Sequence, residues 1–109
     1  MNLREYQEKA KETAVYPKLK PSWIYPAFGL AGETGEILEK LKKILRDKEG
    51  HISKENLELI KKEIGDVLWY LSALSTELGL ELDEIAEDNI KKLLSRKERN
   101  VLHGEGDLR

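Results

Sequence analysis

Residues 30–78, LAGETGEILEKLKKILRDKEGHISKENLELIKKEIGDVLWYLSALSTEL, decide the fold. Leu30, Thr34, Ile37, Leu38, Leu41, Ile44 and Leu45 recur at three- and four-residue intervals, and so do Ile60, Ile64, Val67, Leu68, Leu71, Leu74 and Leu78. That is the period of an amphipathic helix and not of a strand. Between the stripes, Asp47 to Ile52 contains Gly50, and Ser53 is placed to cap the next helix, with Ile52 and Leu57 as a hydrophobic staple. The spacing predicts helix 2 from about Pro26 to Arg46 and helix 3 from Ser53 to Leu78, stopped by Gly79. Two long helices joined by a short turn form an antiparallel hairpin.

On the N-terminal side, Asn2 with Glu5 makes a capping-box-like pair, and Leu3, Tyr6, Ala10 and Ala14 predict helix 1 over about residues 3–15. Residues 16–26 hold all three prolines with Trp23, Tyr16 and Tyr25, which reads as an ordered loop. On the C-terminal side, Leu80 and Ile85 staple helix 4, expected from about Leu82 to Asn100. Residues 101–109 show no period and are expected to form a flexible tail unless something orders them. The reading is one all-α, four-helix, bundle-like domain over residues 1–109.

Composition removes whole classes of function. Nineteen Lys and Arg against twenty-one Asp and Glu leave a formal charge of −2, which argues against a nucleic-acid or anionic-membrane binder. With no cysteine, disulfides, zinc ribbons and thiol nucleophiles are excluded together, and His51 and His103 are too isolated for a histidine-rich metal site. No apolar run approaches the roughly 18 residues of a membrane span, and residues 1–5 lack the apolar region of a signal peptide, so a cytoplasmic address is expected.

The chemistry lies in a repeat within the hairpin. Glu33-Thr34-Gly35-Glu36 and Glu63-Ile64-Gly65-Asp66 share the form E-x-G-[E/D], each followed by an aliphatic pair. At about 100° per residue, each acidic pair sits about 60° and 120° to the same side of its own stripe, and both motifs are equidistant from a turn centred between Glu49 and Gly50. Four carboxylates should therefore converge. Gathered and partly dry they repel one another, which raises pKa values and costs stability unless a cation neutralises them. An all-oxygen donor set points to Mg²⁺, with Mn²⁺ able to substitute, and away from zinc; a di-iron site of the Glu-x-x-His type has no counterpart here. Gly29, Gly32, Gly35 and Gly65 each cost on the order of 1 kcal/mol inside a helix, which close backbone approach or ligand access would explain.

Complementary charge is available nearby. Asn89, Lys92 and Arg96 share one face of helix 4, and Lys40 and Lys43 continue the Glu33/Glu36 face of helix 2. A carboxylate-bound cation flanked by lysine and arginine suits a polyphosphate. Trp23 and Tyr25 could stack on a base, although packing is the commoner use of such residues. From Val67 to Thr76 helix 3 carries no charge at all, so it should be buried on every side. Three other helices can cover only one side, which places the Trp69, Ala73 and Thr76 side against a second subunit and predicts a homo-oligomer.

At these residues the chain resembles the MazG-like nucleotide pyrophosphohydrolases, all-α proteins related to the dimeric dUTPases and the phosphoribosyl-ATP pyrophosphohydrolases. The family signature is E-x-x-E, a spacer, then E-x-x-D, matched by Glu33, Glu36, Glu63 and Asp66. A lysine and an arginine one turn apart on the following helix are similar to Lys92 and Arg96, and Asn89 is similar to the asparagine just upstream of them. The resemblance covers about residues 25–109. It implies Mg²⁺-dependent hydrolysis of a nucleoside triphosphate to monophosphate and pyrophosphate, with the four acids holding the metal and Glu33 or Glu36 as general base. Asn89, Lys92, Arg96 and Lys40 would bind substrate in a dimer or tetramer. A dUTPase/dCTPase-like or phosphoribosyl-ATP specificity, or a non-catalytic helical module, are the competing readings.

Overall fold

The computed structural model describes residues 1–109. It contains four helices and no strand: α1 (Leu3–Lys11), α2 (Ile24–Lys48), α3 (Lys54–Glu77) and α4 (Leu82–Glu98). The expected all-α class and the α2/α3 hairpin are both present, the hairpin being the principal packing contact of the chain. Its turn uses left-handed backbone at Glu49 (φ 52°) and Gly50 (φ 82°), and Ser53 caps α3 by accepting from the Asn56 N–H. Asn2 caps α1 as expected, accepting from the Glu5 N–H at 2.8 Å.

α1 ends earlier than its apolar spacing suggests. Thr13 leaves the helix because its hydroxyl has two other duties, donating to the Ala10 carbonyl at 2.8 Å and accepting from the Trp69 indole N–H at 2.7 Å. The chain then runs through Tyr16, which stacks on Tyr25 and meets Trp69 edge-on. Ser72 and Ala73 beside them are buried, and Gln7 reaches from α1 to Thr76. These contacts overturn the expectation that the Trp69 side of α3 faces another subunit. That side is covered by α1 and the proline-rich loop of the same chain, since a short helix followed by an aromatic loop can wrap where a fourth long helix was not required.

Gln7 also determines where α4 begins. Glu81 precedes α4 without a side-chain cap, and the Leu82 N–H is instead accepted by Gln7 Oε1 at 2.8 Å, while Gln7 Nε2 donates to the Leu80 carbonyl. A buried amide thus satisfies groups that a helix start leaves unpaired. Together with the Arg4–Asp83 ion pair it docks α4 on α1.

The tail is more ordered than its lack of period implies. Arg109 donates to the carbonyls of Val101, Leu102 and Gly106, and Arg99 donates to the Arg109 carbonyl, folding residues 101–109 back on the end of α4. No helix is long and apolar enough to cross a membrane.

A candidate metal centre on the hairpin

Glu33 from α2 and Glu63 and Asp66 from α3 bring carboxylate oxygens within 4.8 Å of one another. Each lies on the angular side of its helix next to the contact line marked by buried Ile44 and Ile60 and half-buried Ile37 and Val67. Glu33 and Glu63 are half-buried and Asp66 is exposed, so the cluster opens to solvent on one side. Partial burial, a hydrogen bond shared with Glu63, and the charges of Asp66, Glu63 and Glu36 push the Glu33 carboxyl above its ordinary value. That is the mutual repulsion expected of gathered acids.

Glu36 does not join the other three. It lies about 60° further around α2 from the contact line than Glu33 and is exposed. Lys40, one turn beyond it, occupies the position over α3 instead and pairs with Glu63 at 3.2 Å. The expected convergence of four acids is therefore a convergence of three acids and one lysine. The donor set is all oxygen, which suits a hard divalent cation.

Two tyrosines border the cluster that sequence spacing did not single out. Tyr6 of α1 is raised above its usual range by burial first and by Asp66 second. Tyr70, one turn after Asp66, is raised by burial, then by the charges of Tyr25, Glu33 and Asp66. Its ring lies flush against Gly29, where an added Cβ would stand 2.1 Å from Tyr70 Cε1. Close approach thus explains one of the helical glycines, whereas Gly32, Gly35 and Gly65 face open space. Tyr70 joins the acids to a shallow cleft of about 290 Å³ whose lining includes Thr13, Tyr16, Tyr25 and Trp69. Trp23, paired with Tyr25 in the sequence reading, is not among the residues of this cleft.

The residues of α4 stand apart from the acids. No hydrogen bond or ion pair links Asn89, Lys92 or Arg96 to Glu33, Glu63 or Asp66. Lys92 and Arg96 both reach Asp107 Oδ1 at 3.4 Å, and Arg96 also donates to the Asp107 carbonyl. The two cations hold the Asp107 carboxyl below its usual range. Arg96 is buried under the tail, with its Nε unpaired. Asn89 and Lys92 line a surface cleft with Ile85 and Asp88.

The family model of the MazG nucleotide pyrophosphohydrolase domain matches residues 27–101, which include the acidic repeat and all of α4. The chain is also 43% identical to the gene 37 protein of Mycobacterium phage L5 over 114 aligned positions, covering all of both chains. That name is silent about substrate. No solved structure matches.

Proposed function

This chain belongs to the MazG nucleotide pyrophosphohydrolase family, and on that premise we propose that it hydrolyses nucleoside triphosphates to the monophosphate and pyrophosphate, with Mg²⁺ as cofactor and Mn²⁺ able to substitute. The observation that carries the proposal is the convergence of Glu33, Glu63 and Asp66 inside the matched region. These three would hold the cation. When bound, such an ion supplies charge for phosphate oxygens and acidifies water.

The chain's own groups provide the rest. Glu36 is outside the cluster, on the same helix face and open to solvent, and we assign it the general base that takes the proton of the attacking water. Its exposure leaves it free of the ligand role that occupies Glu33. Lys40, already paired with Glu63, turns to a phosphate oxygen once the carboxylate is neutralised. Lys92 and Arg96 bind the distal phosphates, and Asp107 leaves them when they do so. The aromatic cleft beside Tyr70 offers a stacking surface for the base. The working form is a homo-oligomer, dimer or tetramer, because the single chain buries only ten of its 109 residues. Clearance of surplus or noncanonical nucleotides in the cytoplasm fits this activity.

A panel of NTPs and dNTPs with Mg²⁺ tests the reading through its products. Monophosphate plus pyrophosphate is expected, and diphosphate plus orthophosphate would overturn it. Turnover restricted to dUTP or dCTP, or to phosphoribosyl-ATP, would select the narrower specificities on the same fold. No turnover of any nucleotide would leave a helical module.

A further inference from the structure

The acidic face of the hairpin changes sign toward the turn. On α2, Lys40, Lys43 and Asp47 continue the face of Glu33 and Glu36. On α3, Asn56 precedes Glu63 by seven residues, which returns it to nearly the same side of the helix. Counted from the turn between Glu49 and Gly50, Lys43 and Asn56 stand at one height, about 10 Å nearer the turn than Glu36 and Glu63. There the two helices share a cavity of about 160 Å³, lined by Lys40, Lys43, Lys48, Asp47 and Asn56, with Ile44 in its apolar part.

This lining is rich in donors and short of acceptors. Asn56 Nδ2 is buried and has no hydrogen-bond partner, a costly state that native structures rarely leave uncompensated. The nearby carboxylates are already engaged: Asp47 is held by Arg46 at 2.8 Å, and Glu39 by Lys42 at 3.0 Å, with Lys43 a longer second partner at 3.6 Å. Arg46 first, then Lys43 and Lys48, keep the Asp47 carboxyl below its usual range, so the charges of both lysines reach the same spot. Lys48 joins no ion pair, and Lys40 pairs outward with Glu63 at 3.2 Å.

Size narrows what could satisfy these donors. The cavity has the volume of about five waters, whereas pockets for drug-sized molecules start near 300 Å³. A nucleoside is too large. A tetrahedral oxyanion packs several strong acceptors into a small volume, which suits ammonium groups and an amide N–H brought together from two helices.

We propose that this cavity binds a phosphate-type oxyanion between Lys40, Lys43, Lys48 and Asn56. Two sources share that chemistry: free orthophosphate and, on the reading proposed above, pyrophosphate released at the neighbouring acids. Lys40 joins the two places, since it lines the cavity and pairs with Glu63. Occupancy does not depend on catalysis, so an inactive chain that binds the anion leaves the inference standing.

Isothermal titration calorimetry of the metal-stripped chain at low ionic strength, with orthophosphate and pyrophosphate in separate runs and no nucleotide, tests the site. Saturable one-to-one binding with a Kd of about 1 mM or tighter is expected for at least one anion. Tighter binding of pyrophosphate would assign the released product as occupant, and tighter binding of orthophosphate the free ion. Lys43→Ala combined with Lys48→Ala should weaken binding at least about tenfold. So should Asn56→Asp, which keeps the side chain's shape but turns a donor into a charged acceptor. Lys61→Ala combined with Lys91→Ala makes the same change in net charge away from the cavity, and should weaken binding by less than about twofold. No saturable binding of either anion up to about 10 mM would overturn the inference. So would binding that survives loss of Lys43 and Lys48, or binding abolished by Lys92→Ala instead, which would place the anion on α4. Circular dichroism checks that each variant is helical, and if Asn56→Asp does not fold, the lysine pair decides.

Discussion

The two faces of the α2/α3 hairpin are made by alternate residues of the same two segments, and they differ in what they leave unfinished. On one face Glu33, Glu63 and Asp66 crowd together, and burial first and the neighbouring acids second raise the Glu33 pKa, so that face is short of positive charge. On the other, Ile64 stands next to Glu63 in sequence but is exposed with Leu57, Leu71 and Leu78, so that face is short of apolar cover. The second copy of the E-x-G-[E/D] repeat, Glu63-Ile64-Gly65-Asp66, therefore serves both faces. The helix period sends its acids one way and its aliphatic neighbours the other.

The largest expected effect comes from changing the acidic face. Glu63→Gln should lower metal-dependent turnover by at least about a hundredfold while leaving the helical fold intact, since it removes both a charge that repels Glu33 and the ion pair with Lys40. Steady-state kinetics with thermal melts monitored by circular dichroism would check it. Unchanged turnover would remove Glu63 from the site.

Next in size is the contrast between two glycines. Gly29→Ala drives a methyl into the Tyr70 ring and should cost about 2–3 kcal/mol. Gly65→Ala meets nothing within 4 Å and should gain up to about 1 kcal/mol. Chemical denaturation of both variants gives the difference. Equal effects would mean that Tyr70 does not lie against α2.

A smaller effect tests the side of α3 that the chain covers itself. Tyr16 and Lys18 both donate to Glu77, holding its carboxyl below the usual range. A depressed carboxylate stabilises the fold above its unfolded pKa of about 4.3, and that contribution is lost as pH falls through the lower folded value. Glu77→Gln should therefore cost about 1–2 kcal/mol near neutrality and almost nothing at the acid end, measured by urea unfolding across pH. The smallest effect concerns the tail. Asp107→Asn weakens the hold on Lys92 and Arg96, and the KM for a triphosphate should fall about twofold with kcat unchanged. A rise in KM would make Asp107 part of the binding surface.

The helix pattern was legible because its signals are local: Asn2, Ser53 and Gly50 act through neighbouring backbone, and the caps and the turn stand where their residue types require. The acidic cluster was legible in outline for the same reason, since angular phase and distance from the turn can be counted. Glu36 stands outside the group of three acids, which angular phase alone does not show, because Lys40, one turn on, pairs with Glu63. The uncharged run of α3 signalled the burial of Ser72, Ala73 and Ser75 but not the exposure of Leu71, and its orientation depended on Thr13, Tyr16 and Gln7, whose hydrogen bonds to α3 span 56, 61 and 69 residues. Such long-range choices are made by packing, which spacing along the chain does not encode.

In the proposed reaction the acidic face directs water to the α-phosphorus of a nucleoside triphosphate. Turnover with Mg²⁺ in water enriched in heavy oxygen, followed by mass analysis of the products, tests it most directly. The heavy atom is expected in the nucleoside monophosphate and not in pyrophosphate. Heavy oxygen in pyrophosphate, or in released orthophosphate, would contradict it.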